Sequence, residues 1–245
     1  MKTNQYQKRF YRDWVKAKDL YTLRVMVQET DLEILTDKPV EIDFIEQRVG
    51  LYRRDIESYI AKDRRFLTAL KPLEVELTAK PIVKDMAKAA KIAGVGPMAA
   101  VAGAIAQFLG KDLLRRGYKE VIIENGGDIF LASRKARIIG IYGGRKKLWN
   151  RVGLRIKPQT TPIGICCSSG TLGHSLSFGC ADSVVILAKS ASLADAVATA
   201  TANLVKSREN LSAALAFARS IKAVRGVIII LKNSLISWGK VEFCK

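Results

Sequence analysis

The stretch "YKEVIIENGGDIFLASRKARIIGIYGG", residues 118–144, decides the fold class. Two apolar runs, Val121–Ile123 and Ile129–Leu131, flank an Asn-Gly-Gly-Asp turn at 125–128, and a third run follows at 138–141. Asn-Gly is a hairpin signal, because both central residues of the tightest strand-to-strand turns need positive φ. Strand, turn, strand and strand with no helix between them require antiparallel pairing. A parallel sheet would need a crossover helix at each step.

Outward from this stretch the pattern continues. "LYTLRVMVQETDLEILTD" (20–37) alternates at Leu23, Val25 and Val27, turns at Glu29 to Asp31, and resumes at Leu32, Ile34 and Leu35, which predicts a hairpin. Ile42, Ile45, Val49, Tyr52, Ile56 and Tyr59 recur at helical spacing and predict a long amphipathic helix. Phe66, Leu70 and Leu73 continue the apolar pattern. Pro81 opens another helix and Gly94 closes it. A further helix runs from Pro97 to Gly117, its first half built from Ala99, Ala100, Ala102, Gly103, Ala104 and Ala106. Such small residues admit a second backbone, or a flat ligand, at close range.

Downstream, "RVGLRIKP", "PIGICCSS" and "SVVILAK" read as strands. "SLADAVATATANLVKS" reads as a helix capped by Ser190 or Ser192, with Asp195 in its first turn. A short helix over Leu211 to Ile221 precedes a closing hairpin with Asn233 and Ser234 at its tip. Helices thus lie between groups of strands. The expected class is α+β, with two similar halves of antiparallel sheet packed with helices in one intertwined domain over 1–245.

Lys and Arg number 41 against 23 Asp and Glu, a net charge of +18 that favours anionic partners. The basic residues are scattered in small clusters, so a solvated surface is expected rather than a nucleic-acid footprint. The first residues, "MKTNQYQKRFYRDWVK", lack the apolar core of a secretory signal. "GVGPMAAVAGAIAQFLG" (94–110) is too short and too rich in Ala and Gly to cross a bilayer. Four cysteines without a signal suggest reduced thiols. The expectation is a cytoplasmic protein with no membrane association; a homo-oligomer is compatible with it.

"CCSSGTLGHSLSFGCADS" (166–183) holds three of the four cysteines and the single histidine. Zinc would prefer paired ligands, and Cys167, His174 and Cys180 contain no Cys-x-x-Cys. A cysteine or serine nucleophile with His174 as its base is a second reading. Adjacent Cys166 and Cys167 point to opposite faces of a strand, so one at most serves the site. In a third reading the backbone does the work. Ser168, Ser169, Gly170 and Thr171 offer hydroxyls and converging N–H groups to a phosphate or carboxylate. Asn125, Gly126, Gly127 and Asp128 present a carboxylate at a strand start. Asp195 and Thr199 share one helix face, where they can either share a hard cation such as Mg²⁺ or serve only as an N-terminal cap and a surface threonine.

These pieces in this order resemble the ApbE-like superfamily, whose best-known members are FAD-dependent FMN transferases. The matching segments are "GAIAQFLGKDLLRRGYKEVIIENGGDI" (103–129), the Ser-Gly-His loop, "SVVILAKSASLADAVATA" (183–200) and the final hairpin. The chain is more similar still to an uncharacterised family of archaeal and bacterial ApbE-like proteins, through "QETDL", "GVGPMAAVAGAIA", "ENGGDI" and "SSGTLGHSLSFGCADS". The resemblance implies a T-fold-like ApbE architecture with the ligand between two halves. It also implies Mg²⁺ on Asp195 and Thr199, with Ala198 supplying a carbonyl, and FAD or another phosphorylated ligand in the cleft. His174 becomes the acid–base candidate. Two departures stand out. "HSLSFG" replaces the transferases' His-x-x-Asp-Pro, and Gln107 replaces a lysine. The expected function is binding of a phosphorylated, flavin- or nucleotide-like ligand in a central cleft, with Mg-dependent flavin-processing transfer as the enzymatic reading and a ligand-binding or sensor protein that lost the transfer chemistry as the alternative.

Overall fold

Alternating apolar residues make the strands, and the turn residues between them set which strands pair. A computed structural model describes residues 17–141, 153–169 and 178–244. Strands β1 (Tyr21–Val27) and β2 (Thr30–Thr36) form the first hairpin. Its turn lies at Gln28 and Glu29, one residue earlier than the composition suggests, with Gln28 at φ +53°. Helix α1 (Ile42–Lys62) buries Ile45, Val49, Tyr52 and Ile56, the periodic stripe of the sequence. That stripe ends early. After a single turn, α2 (Arg65–Thr68), Phe66 is buried but Leu70 is 59% exposed.

Helix α3 (Pro81–Ala93) begins on proline and stops at Gly94, which adopts the left-handed conformation at φ +74°. A 3₁₀ turn over Pro97–Ala100 leads into α4 (Val101–Arg115), so the predicted single helix from Pro97 has an irregular first turn. Among the described residues no single helix is long and apolar enough to cross a membrane. The α3–α4 pair, bent by 102°, instead buries its alanines, Ile82, Met86, Leu109 and Leu113 in the core.

Strands β3 (Val121–Asn125) and β4 (Asp128–Ala132) pair through Asn125 and Asp128, with Gly126 at φ +68° and Gly127 at φ +103°. That is the two-residue turn the Asn-Gly-Gly-Asp sequence demands. Then come β5 (Arg137–Gly140), β6 (Gly153–Ile156), β7 (Ile163–Ser168) and β8 (Ser183–Ala188). Helices α5 (Ala191–Leu204) and α6 (Leu211–Ser220) precede β9 (Val224–Leu231), β10 (Ser234–Gly239) and β11 (Phe243–Cys244). Lys232 and Asn233 form the last hairpin's tip, and Ser234 already belongs to β10.

Eight strands pair antiparallel in the order β1-β2-β3-β4-β7-β8-β9-β10, and a second sheet has the order β11-β6-β5. One face of the large sheet packs on α1 and α3–α6 around Ile34, Ile123, Phe130, Val184 and Ile229. The other face packs on the small sheet through Ile122, Leu131, Ile139, Leu154 and Ile163. The mixed helix and antiparallel-sheet class is the one expected. The order hairpin, helices, hairpin occurs twice along the large sheet: β1–β2 to β3–β4, and β7–β8 to β9–β10.

Candidate functional site

The pleat fixes which residues of the large sheet face the helices. Period-two alternation places Asn125, Asp128, Cys166 and Ser168 on the same side as Ile123, Phe130 and Val184, which pack on the helices. Ile129 pairs with Ile165 and Asn125 with Asp128, so Asn125, Asp128 and Cys166 form one cross-strand row beneath the start of α4. Asn125 Nδ2 donates to the Ala102 carbonyl at 3.2 Å and ties the row to that helix.

Asp195 arrives from the opposite half of the chain. It lies beyond the first turn of α5, whose cap is Ser190, the Oγ of which accepts the Leu193 N–H at 3.2 Å. The carboxylate serves α4 instead. Its Oδ2 accepts the Gly103 N–H at 2.9 Å, and Ala102 contributes a second backbone N–H. The helix start favours a negative charge because its first N–H groups have no partner within the helix. The small residues of α4 make this contact possible: a Cβ on Gly103 would lie 2.3 Å from the Ala191 carbonyl oxygen and 2.9 Å from Asp195 Cβ. Gln107, also on α4, accepts the Ala191 N–H at 2.9 Å and donates to Asp85 at 3.1 Å. A lysine there could not accept the Ala191 N–H.

On α5 the residues Asp195, Thr199 and Asn203 are half-buried and lie at successive four-residue intervals, while their neighbours Ala194, Ala196, Val197, Ala198 and Ala202 are buried. Asn203 Oδ1 accepts the Phe178 N–H at 2.8 Å. Ala198 sits mid-helix, where its carbonyl already accepts a helical hydrogen bond and retains a second lone pair.

The electrostatics of the site are unusual. Asp128 Oδ1 and Ser168 Oγ are buried, with no hydrogen-bond partner among the described residues. Burial, reinforced by the charge of Asp195, holds the Asp128 carboxyl well above the usual carboxylate range, against the opposing pull of the Cys166 thiol. Burial also pushes Asp195 up to about 7, although the Gly103 and Ala102 N–H groups draw it down. The two acids therefore share a compartment in which their full ionisation is costly.

The cysteines are poor nucleophiles. Burial and the charges of Asp128 and Asp195 push the Cys166 thiol well up, and its Sγ donates to the Ala191 carbonyl at 3.2 Å. Cys167 points to the other face, beside Ser183 Oγ at 3.2 Å, and burial lifts it to about 11. Neither forms thiolate readily near neutrality. Cys180 Sγ donates to the Lys206 carbonyl at 2.8 Å. Among the described residues no three His, Cys, Asp or Glu side chains gather into a metal cluster.

Of the residues singled out in the sequence, Asn125 to Asp128, Ser168, Ser169, Asp195, Ala198 and Thr199 are described, and Gly170, Thr171 and His174 lie outside the described residues. Sequence reasoning missed that Cys166 lines this compartment and that Asp195 caps α4. Period-two alternation from Asp128 across to Cys166 would have signalled the former; nothing local signals the latter.

The family model described as "AbpE bacteria" matches residues 12–228. A UPF0280 protein of Methanocaldococcus jannaschii is 42% identical over 223 residues, covering 89% of this chain and 90% of its own. A UPF0280 protein of Methanosarcina acetivorans is 36% identical over 216 residues, covering 88% and 85%. Among solved structures, the flavin transferase ApbE from Vibrio cholerae matches with TM-score 0.58 and 13% identity, over 89% of this chain and 96% of that one. The ApbE protein of Thermotoga maritima matches with TM-score 0.58 and 12% identity, over 91% and 96%. At such identities the structural likeness carries the fold.

Proposed function

The chain belongs to the AbpE bacteria family, an uncharacterised ApbE-like family, and on that premise we propose that its helix-side cleft binds a phosphorylated flavin together with Mg²⁺. One observation carries the reading: Asp128 keeps a buried oxygen without a partner beside a second raised acid, Asp195. A buried acid beside a half-buried one is relieved by a shared proton or by a cation.

The donors suit a hard cation. They are all oxygens: the carboxylates of Asp128 and Asp195, the Thr199 hydroxyl and the Ala198 carbonyl. Mg²⁺ held there supplies neutralising charge to a diphosphate. The chain's own residues do the rest. Asp195 exchanges a proton near neutrality, so cation binding is favoured as pH rises through about 7. Gly126 and Gly127 bring backbone close to a ligand, and Ser168, Ser169, Gly170 and Thr171 offer hydroxyl and N–H donors to its phosphates. His174 serves as the acid–base group.

The test is thermal denaturation with FAD, with and without MgCl₂. FAD stabilises the protein only when Mg²⁺ is present, and Asp195→Asn removes that stabilisation. An FAD shift that ignores both Mg²⁺ and the substitution would overturn the assignment. A second reading, ligand binding without transfer, is favoured by "HSLSFG" in place of His-x-x-Asp-Pro. It predicts FAD retention with no FMN attached to a threonine-containing acceptor, and covalent attachment would sink it.

A further inference from the structure

On the far side of the large sheet, β6, the start of β9, the end of β10 and the segment that follows it line a cleft of about 640 Å³, within the size range of small-molecule sites. Arg155 and Lys157 from one segment, and Arg225 and Lys240 from two others, line it. Ile163 and Leu187, each 2% exposed, form part of an apolar floor. A second cleft of about 420 Å³ shares Arg225 and Lys240 and adds Trp238.

The charges are unbalanced. Glu242 pairs with Lys157 at 2.9 Å and lies 3.8 Å from Arg155. Among the described residues no carboxylate pairs with Arg225 or Lys240. Arg225 Nη1 donates to the Thr160 carbonyl at 2.6 Å, which holds the guanidinium while leaving its other N–H groups for a ligand. The backbone around Lys240 is fixed as well. Its N–H donates to the Arg225 carbonyl at 2.9 Å, and Gly239 sits at φ +90°, where a Cβ would lie 2.3 Å from that same oxygen. A fixed guanidinium and a lysine on a fixed backbone thus stand at one wall of an apolar-floored cleft, and among the described residues no carboxylate pairs with either.

We infer that this cleft is a second ligand site, for an organic phosphate with a flat apolar body. The planar Arg225 fork matches phosphate oxygens, Lys240 adds a point charge, and the Ile163–Leu187 floor accepts the ring. The sheet separates it from Asp128 and Asp195: Leu187 and Ile163 pack with the outer layer, whereas Asp195 reaches α4 in the helix layer. The inference does not rest on the flavin reading.

The probe is phenyl phosphate, titrated calorimetrically at fixed ionic strength against phenol and inorganic phosphate. Phenyl phosphate binds more tightly than either fragment. The Arg225→Gln/Lys240→Gln double variant weakens it at least about tenfold, and Asp195→Asn leaves it unchanged. Arg225→Lys, which keeps the charge and loses the fork, weakens it several-fold and serves if the double variant does not fold. Three results would overturn the site: no binding by the native protein, equal affinity in both Arg225 variants and the native protein, or loss of binding on Asp195→Asn.

Discussion

The β3–β4 hairpin carries a buried acid at each end, and the two behave in opposite ways. At the open end Glu120 is 6% exposed, at the turn Asp128 is 8% exposed, so both are equally removed from water. Burial would raise Glu120, but the Ser133 hydroxyl, Arg137 and the Arg134 N–H outweigh it and hold the carboxyl below its usual range. Arg137 donates to Glu120 at 2.8 Å and to Asp19 at 2.6 Å, and Asp19 is drawn far down in turn. Among the described residues no cation faces Asp128; the charges of Asp195 and Glu124 and burial outweigh the Cys166 thiol and the Cys167 N–H, and it moves up. A buried acid whose partners are complete is architecture. One left with an orphan oxygen beside a second acid marks a place where something must bind or protonate.

The largest break in this comparison comes from Arg137→Met, which leaves Glu120 buried without its cation. It should cost about 3–5 kcal/mol, read by urea denaturation at neutral pH, and leave Mg²⁺ binding at the turn end intact. Gly103→Ala acts on the other end through shape alone, since the new methyl meets the Ala191 carbonyl. A loss of about 1–3 kcal/mol is expected, with weaker Mg²⁺-dependent FAD stabilisation, although no polar group has changed. Unaltered stability would show that α4 and α5 can separate freely.

The smallest effect is the most diagnostic. Because Asp128 and Asp195 are raised, the native state binds more protons than the unfolded chain above the ordinary carboxylate value of 3.8, for Asp195 up to about 7 and for Asp128 until its own raised value is passed. Their contribution is complete below that window and is lost as pH climbs through it. Asp128→Asn removes the repulsion, so the metal-free variant gains roughly 1–2 kcal/mol over the native protein at pH 8 and nothing near pH 4. Melting curves at the two pH values read the difference. Glu120 and Asp19 have the reverse sign, with stability lost as pH falls below the carboxylate range.

Local chemistry made much of the fold legible. Asn125 to Asp128 form a tight turn because the two glycines accept positive φ, and Pro81 and Gly94 delimit α3 for the same kind of reason. The Ile42-to-Tyr59 stripe is a helix because its spacing is helical. Where the reading slipped, it slipped at positions that local preference fixes weakly: the β1–β2 turn by one residue, and the hairpin tip at Lys232 rather than Ser234. The apolar run ends in an exposed Leu70, an outcome that periodicity cannot foresee.

The candidate site was legible as a set of residue types, and much less as an arrangement. Asp195 looked like an acid in the first turn of its own helix. The structure sends it 92 positions away along the chain, to Gly103 at the start of α4. Cys166 looked like either core or nucleophile, and pairing across β4 and β7 put it beside Asp128. The sequence by itself determined the elements, the turns and the kinds of donor available, because those depend on neighbours a few residues apart. Only the tertiary structure decided which acid is paired and which is left with an unpartnered oxygen. That outcome depends on desolvation and on charges from distant segments: Arg137 and Asp19 at one end of a hairpin, Asp195 at the other.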